Sequence, residues 1–230
     1  MFIPDEYELI KPFNSRVSLV RDRRSQKLFV LKSAPTEQLN VLEKIMDTPP
    51  CYSERIYKIY KQESGLVYIC DYCKGVTLRS LLSAKRRFSI KEIRCIMLSA
   101  AFAADRLNMN SVIHCDISPN NILVDISSKS VSTVLIDYGS ARLADDTLPE
   151  TEVTEVLGTE GYIAPERFVN VNPTTACDVF SLGKVLSALM DTNEHKNMHL
   201  IAKNLIRKAT LFNPEKRIKM YPFLASLFLI

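Results

Sequence analysis

Hydrophobic and polar positions follow two different periods along this chain. Up to about residue 70, short apolar runs alternate with polar turns. RVSLV and KLFVLK flank the charged segment RDRRSQ, and RIYKIYKQESGLVYICDY turns at Ser64 and Gly65. Short apolar runs bounded by polar turns are typical of β-strands. From Thr77 onward, LRSLLSAKRR and SIKEIRCIMLSAAFAADRLNM have helical spacing. The pattern predicts a small β-rich part followed by a larger helical part, an α+β fold.

One helix is predicted inside the β-rich part. TEQLNVLEKIM carries apolar residues at 39, 42, 45 and 46, and Thr36 follows Pro35 as a candidate N-cap. Gly75 interrupts the chain where the β-rich part ends. We expect one domain over 1–230 with two lobes. Its predicted parts are an N-lobe over 1–70, a hinge over 71–76 and a C-lobe over 77–230.

The composition narrows the class of protein. Apolar residues make up 47% and charged residues 24% of the chain, a globular profile. A net charge of +4 is too weak to predict nucleic-acid binding. The short basic clusters at 21–24 and at 85–87 favour solvated surface, with docking of an acidic partner as the alternative.

Cysteine usage and apolar segment lengths predict an intracellular protein, in the cytoplasm or nucleus. Cys70 and Cys73 form a lone CxxC, and without a second pair zinc is not expected. Free thiols fit a reducing compartment. The N-terminus lacks the pattern of a signal peptide. IMLSAAFAA and YPFLASLFLI are too short to span a bilayer, so they predict buried helices and no membrane partner.

A polar cluster between two apolar runs carries the candidate chemistry. In VIHCDISPNNILV, residues 112–124, Asp116 and Asn121 lie between two apolar runs, and Asp137 ends the next apolar run, in LIDYGSA. Hard cations such as Mg²⁺ prefer oxygen ligands, which Asn121 and Asp137 supply. Asp116 is suited to accept a proton from an attacking hydroxyl.

Four motifs give the chain its resemblance to protein kinases. HCDISPNN resembles the catalytic loop, IDYG the metal-binding DFG, GTEGYIAPE the end of the activation segment, and DVFSLG the start of the long central helix. Arg217 matches the late arginine that pairs with the glutamate of the APE motif, here Glu166. The GTxGY form is similar to Ser/Thr kinases. The resemblance covers nearly the whole chain and implies a bilobal kinase fold, ATP and Mg²⁺, and a protein substrate or a partner kinase.

The resemblance also implies a role for each matching residue. Asp116 would take the proton of the substrate hydroxyl, Asn121 and Asp137 would hold Mg²⁺, and Lys32 would bind the α- and β-phosphates. Backbone groups of Asp71 and Cys73 would bond the adenine, beside Cys70. The remaining implied nucleotide-binding positions are Leu9, Ile10, Pro12, Ser15, Val17, Val30 and Leu123.

Departures from the family pattern affect the nucleotide site. Ile10, Pro12 and Ser15 stand where the glycine-rich loop has its three glycines. Glycines let backbone N–H groups approach phosphate, and proline has no N–H, so a weaker or different hold on ATP is expected. The glutamate that pairs with Lys32 is ambiguous. Gln38 occupies its aligned position, Glu43 lies further on, and Glu37 is the predicted partner.

The catalytic loop departs as well. Cys115 replaces an arginine that commonly receives an activation-loop phosphate, so none is expected to be needed, although Thr147, Thr151 and Thr154 are candidate sites. Ser118 replaces a lysine that contacts the transferring phosphate. Losing one such charged hydrogen bond costs roughly 1.5–3 kcal/mol, or about 10- to 150-fold in rate.

Three functions follow from these features. The favoured one is a Ser/Thr protein kinase, since Lys32, Asp116, Asn121 and Asp137 are all present. A pseudokinase that binds or blocks another kinase is the alternative suggested by the missing glycines. A small-molecule phosphotransferase shares part of the pattern, but GTEGYIAPE argues against it. The compact chain is also similar to virus-encoded kinases, which would place it in a host cell.

Overall fold

The computed structural model describes residues 2–127, 131–144, 158–169, 172–192 and 199–230. The chain forms two compact units. The first comprises Met1–Pro50 and Glu54–Cys73, and the second comprises Cys51–Ser53 and Lys74–Ile230. The division at Cys73 lies within the segment predicted as a hinge. No pattern in the sequence indicates that residues 51–53 belong to the second unit.

The first unit is a five-stranded antiparallel sheet with one helix. Its strand order is β1-β2-β3-β5-β4, so β5 lies between β3 and β4. Val20, Leu31, Val67 and Ile69 belong to one buried hydrophobic cluster of this unit. Its elements are β1 Tyr7–Pro12, β2 Val17–Asp22, β3 Leu28–Ala34, a 3₁₀ turn Thr36–Gln38, α1 Leu39–Asp47, β4 Ile56–Gln62 and β5 Gly65–Asp71. The predicted strands and the turn at Gly65 are confirmed.

The beginning of α1 differs from the prediction. Thr36 is not its N-cap, because residues Thr36–Gln38 form the 3₁₀ turn and the α-helix begins only at Leu39, after Gln38. No side chain caps either start with a hydrogen bond. The apolar spacing correctly predicted the helix, but its boundary depends on local backbone geometry that the spacing does not contain.

The second unit is mainly helical and carries small sheets. Strands β6, β8 and β9 form one sheet, and β7 pairs with β10. Its strands are β6 Val76–Thr77, β7 Val112–Ile113, β8 Ile122–Asp125, β9 Ser132–Leu135 and β10 Arg142–Leu143. Its helices are α2 Leu78–Ser83, α3 Ile90–Met109, α4 Thr175–Met190, α5 His199–Ala209 and α6 Met220–Leu227, with 3₁₀ turns at Pro165–Val169 and Pro214–Lys216.

Helix α3 is the central support of the second unit. It begins with a capping box: the Glu92 N–H donates to Ser89 Oγ over 3.3 Å, and the Ser89 N–H donates to Glu92 Oε2 over 2.8 Å. Small buried alanines at 100, 101, 103 and 104 belong to the core it shares with α4 and α6. The two longest apolar stretches lie in α3 and α6, as predicted. In the described part of the chain, no helix has the length and apolarity to span a membrane.

Candidate active site

The carboxylate of Asp116 is fixed at both oxygens. Asn121 Nδ2 donates to Asp116 Oδ2 over 2.8 Å and to the Asp116 carbonyl over 2.9 Å. The backbone N–H of Thr159 donates to Asp116 Oδ1 over 2.8 Å. The side chain stays half-buried. A carboxylate held in one orientation and still reachable from solvent is suited to accept a proton from a bound hydroxyl.

A buried carboxylate holds the backbone that carries Asp116. Asp178 on α4 is fully buried and accepts hydrogen bonds from the backbone N–H groups of His114 and Cys115, each over 3.0 Å. Asn108 Nδ2 donates to the same carboxylate over 2.9 Å. Burial raises the pKa of Asp178 against these bonds. The sequence identified DVFSLG only as the start of a helix, so this positioning role was missed.

Ser118 takes part in a neutral hydrogen-bond network. It is fully buried, and the Thr159 hydroxyl donates to Ser118 Oγ over 3.0 Å. The Asn120 N–H donates to the same oxygen over 3.3 Å. Thr159 therefore contacts the catalytic loop twice, through its N–H on Asp116 and its hydroxyl on Ser118. The segment 158–162 and the catalytic loop are positioned together.

Asn121 and Asp137 lie at the same end of a β-ladder. Strands β8 and β9 are antiparallel with Ile122 opposite Leu135, and the Ile136 N–H donates to the Asn121 carbonyl over 2.9 Å. Asp137 adopts a left-handed φ of 73°, and its Oδ1 accepts the Gly139 N–H over 3.1 Å. A carboxylate and an amide oxygen at one ladder end fit Mg²⁺, which takes one or two carboxylates together with phosphate and water oxygens.

Tyr138 explains why residues 51–53 join the second unit. Its ring is fully buried, 5.9 Å from the His114 ring between centroids. A buried phenol needs a hydrogen-bond partner. Ser53 supplies it, since the Ser53 and Tyr138 hydroxyls are hydrogen-bonded and Ser53 Oγ also donates to the Leu135 carbonyl over 2.8 Å. The replacement of phenylalanine by tyrosine is therefore accommodated by a specific contact that the sequence pattern did not predict.

In the first unit, the partner of Lys32 is Glu54. Lys32 Nζ lies 2.6 Å and 2.9 Å from the two Glu54 carboxylate oxygens, and both side chains are buried. The prediction of Glu37 is wrong, because Glu37 is exposed on the 3₁₀ turn. Glu43 also fails, since it pairs with Lys61 at 3.5 Å.

The physical reason lies in the strand order. The aligned helix position holds the neutral Gln38, which is buried. Glu54 instead comes two residues before β4, the strand next to β5, and β5 pairs with the strand of Lys32. Cys70 on β5 donates its thiol to Glu54 Oε2 over 3.3 Å. Burial, and then the Glu54 carboxylate, raises the pKa of Cys70, so its thiol stays neutral beside the pair.

The β1–β2 turn uses its own amides internally. The N–H groups of Phe13 and Asn14 donate to the Val17 carbonyl over 2.9 Å and 3.2 Å, and the Arg16 N–H donates to Asn14 Oδ1 over 2.8 Å. Three of the amides that a glycine-rich loop would turn toward phosphate are therefore committed within the hairpin. Ser15 is exposed in this turn. This turn lacks the open backbone geometry of a phosphate-binding loop.

The other predicted nucleotide-binding residues belong to both units. Asp71 ends β5; its N–H donates to the Arg55 carbonyl over 3.1 Å, and its Oδ1 accepts the Tyr57 hydroxyl over 2.9 Å. Cys73 is half-buried, and burial raises its pKa to about 12.

The remaining predicted positions lie on strands. In the first unit, Leu9, Ile10 and Pro12 lie on β1, Val17 on β2 opposite Lys32, and Val30 on β3 opposite Cys70. Leu123 lies on β8 of the second unit.

Glu166 and Arg217 form the ion pair that the motifs imply. Arg217 is buried and donates to both Glu166 oxygens, over 2.6 Å and 2.9 Å, and to backbone carbonyls that include Ala176 at 2.7 Å. Its guanidinium lies over the Phe180 ring, 5.1 Å from the centroid. Burial raises the pKa of Glu166, but the Arg217 hydrogen bond and the other bonds outweigh it and lower the pKa overall. The candidate phosphosites Thr147, Thr151 and Thr154 lie outside the described residues.

The sequence is similar to known proteins along most of its length. The family model described as Protein kinase domain matches residues 14–219. Serine/threonine-protein kinase PkaB of Streptomyces coelicolor is 30% identical over 132 residues, which cover 55% of this chain and 31% of that protein. Serine/threonine-protein kinase 17A of Oryctolagus cuniculus is 27% identical over 158 residues, covering 67% of this chain and 38% of that protein.

A third relative aligns over more of the chain. The calcium and calcium/calmodulin-dependent serine/threonine-protein kinase of Pisum sativum is 22% identical over 231 aligned residues, covering 89% of this chain and 43% of that protein. The chain thus spans less than half the length of each of these three relatives. The family match, the α+β architecture and the geometry around Asp116 agree, and the chain belongs to the protein kinase domain family.

Proposed function

We propose that this chain is a Ser/Thr protein kinase that transfers the γ-phosphate of ATP to hydroxyl groups of a protein substrate. One observation carries the proposal: the Asp116 carboxylate is fixed by Asn121 and Thr159 while it remains reachable from solvent. The three relatives are serine/threonine-protein kinases, which supports the same class of acceptor.

The chain's own residues divide the work of this reaction. Asp116 orients the acceptor hydroxyl and takes its proton. Asn121 and Asp137 would hold Mg²⁺, which would neutralise charge on the phosphates. Lys32, which is hydrogen-bonded to Glu54, would bind the α- and β-phosphates. Thr159 and Asp178 position the Asp116 carboxylate and its backbone.

The same residues predict a slow enzyme with weak nucleotide affinity. The β1–β2 turn commits its amides within the hairpin, and Ser118 supplies a hydroxyl where the family has a cation. The proposed substrate is a protein, and the proposed location is intracellular.

Phosphate transfer from labelled ATP and Mg²⁺ to a degenerate Ser/Thr peptide library tests the proposal. Asp116→Asn should lower the rate by about 10²- to 10⁴-fold, the typical contribution of a general base. Because both neighbours of the carboxylate are donors, the new amide group will oppose one of them, so thermal unfolding must confirm that the variant is folded. Lys203→Ala, an exposed change on α5, is the control.

Two outcomes separate the alternatives. Transfer by the unmodified chain that Asp116→Asn removes supports the kinase. No transfer above the Asp116→Asn level overturns it. A thermal shift with ATP and Mg²⁺ that is lost in Asp137→Ala would then favour a nucleotide-binding pseudokinase, since a ligand that binds only the folded state raises its apparent stability.

A further inference from the structure

A basic groove of about 530 Å³ lies in the second unit. Three cations line it: Arg79 on α2, and Lys85 and Arg87 in the segment that follows this helix. Tyr162 forms part of the same lining, and Asp191 contributes the one carboxylate among the lining residues. Lys85 and Arg87 are exposed, and Lys85 sits in a left-handed turn with φ of 55°. The groove therefore carries an excess of positive charge.

The basic groove is connected directly to the catalytic loop. The Arg79 N–H donates to the Pro119 carbonyl over 2.8 Å, and Arg79 Nε donates to Asn120 Oδ1 over 3.3 Å. The Arg79 guanidinium lies over the Tyr162 ring at 5.6 Å. The Tyr162 N–H donates to the Thr159 carbonyl over 3.0 Å. A molecule in the groove would therefore touch Tyr162, which is hydrogen-bonded to Thr159, the residue that fixes Asp116.

The basic run 85–87 is not uniform. Arg86 is half-buried, pairs with Glu92 at 2.7 Å and lies over the Phe88 ring at 4.4 Å. It therefore has a structural partner and does not line the groove. Its two neighbours in sequence, Lys85 and Arg87, turn toward the groove instead. The run that the sequence favoured as solvated surface therefore places two of its three cations along the groove.

We propose that the basic groove binds acidic side chains of the protein substrate close to the Ser or Thr that receives phosphate. This inference rests on the proposed kinase function and specifies its substrate class. Charge complementarity selects Asp and Glu as the occupants. Arg79 and Tyr162 connect the groove to the catalytic loop through the contacts described above. Salt screens the Coulomb attraction between exposed cations and carboxylates. The preference for acidic over neutral substrates should therefore weaken as the ionic strength rises.

Peptides with one acceptor serine in a neutral background test the substrate class. Asp is placed in turn at each flanking position, and kcat/KM is measured against the neutral parent. Acidic peptides should be preferred, and the double variant Lys85→Ala/Arg87→Ala should lower that preference by about two- to fivefold per cation, or about 4- to 25-fold in total, which corresponds to roughly 0.8–1.9 kcal/mol.

A matched control removes the same two residue types elsewhere. Lys203→Ala/Arg207→Ala takes away one lysine and one arginine from exposed positions that line a separate groove on α5. It should leave the ratio of acidic to neutral kcat/KM unchanged. Thermal unfolding of both double variants shows that they are folded, and raising the salt concentration should reduce the ratio in the unmodified chain.

The outcomes distinguish this inference from the kinase proposal. Transfer without acidic preference, or equal loss of preference in both double variants, overturns the groove while the kinase proposal stands. No transfer above the Asp116→Asn level overturns the kinase proposal. In that case fluorescence anisotropy of labelled acidic and neutral peptides still tests the groove. Tighter binding of the acidic peptide that is lost only with Lys85→Ala/Arg87→Ala supports it, and equal binding of both peptides contradicts it.

Discussion

The pair of Lys32 and Glu54 gives the sharpest test of the structure. Glu54→Gln keeps the shape of the side chain and removes its charge. Both partners are buried, with side-chain exposures of 8% for Lys32 and 2% for Glu54. Two short bonds of 2.6 Å and 2.9 Å join them. The change therefore removes the Glu54 charge from beside the buried Lys32 ammonium.

The size of the effect follows from burial. Breaking a buried pair by removing one charge costs about 3–5 kcal/mol of unfolding free energy. The glutamine oxygen still accepts one hydrogen bond from Lys32 Nζ, so the lower end, about 3 kcal/mol, is expected. For a domain of this size each kcal/mol lowers Tm by roughly 2–4 °C, so Tm should fall by about 6–12 °C.

Denaturant and thermal unfolding measure this change, and Glu37→Gln is its matched control. Both substitutions turn a glutamate into glutamine, and Glu37 is exposed. An exposed site should change stability by less than about 0.5 kcal/mol. A double-mutant cycle of Lys32→Met with Glu54→Gln should give a coupling energy of roughly 0.5–3 kcal/mol, as expected for residues in contact.

Phosphate transfer should respond to the two substitutions in the same way as stability. Because Glu54 orients Lys32, Glu54→Gln should reduce phosphate transfer, and Glu37→Gln should leave it unchanged. If Glu37→Gln lowers stability or transfer and Glu54→Gln lowers neither, the assignment of Glu54 is refuted. Glu37 is then the partner of Lys32.

Three further changes test other buried contacts. Arg217→Met should cost about 3–5 kcal/mol of unfolding free energy, because it leaves the Glu166 charge buried and unpaired; a loss below about 1 kcal/mol in denaturant titration would contradict the pair. In the folded chain the pKa of Glu166 lies below its ordinary value of 4.5. The ionised carboxylate therefore stabilises the fold fully above pH 4.5, and this stabilisation is lost as the pH falls through the pKa of the folded state. Glu166→Gln should therefore flatten the fall in stability as the pH drops below 4.5, and an unchanged slope would count against it. Ser118→Ala removes the bond from Thr159 and should slow transfer by about 2- to 13-fold, the worth of one neutral hydrogen bond; an unaltered rate would show that this bond does not position Asp116.

Local patterns predicted much of the secondary structure. The apolar runs around residues 17–22, 28–34, 56–62 and 65–71 became strands, and the helical spacing of residues 90–109 became one helix. Burial of one face sets these periods, so they can be read from sequence alone. The helix boundary at Leu39 was missed, because spacing does not fix where the first turn begins.

Candidate site residues were found where polar side chains interrupt apolar runs. Asp116, Asn121 and Asp137 stand out because a buried run rarely ends in several oxygen ligands without a reason. Their mutual geometry was not predictable in detail. The β8–β9 register and the Asn121 bond to Asp116 bring the three to one side of the ladder, and register is a property of two strands together.

The sequence by itself determined the family, the change from a strand-rich part to a helical part, and the choice of Asp116, Asn121 and Asp137 as candidate site residues. Only the tertiary structure decided that Glu54, 22 residues from Lys32, is its partner, and that Asp178, 64 residues from His114, holds the catalytic loop. The physical reason is the same in both cases. Hydrophobic periodicity records which face of an element is buried, whereas the contacts of a buried charge depend on strand order and helix packing, which join residues that are distant along the chain.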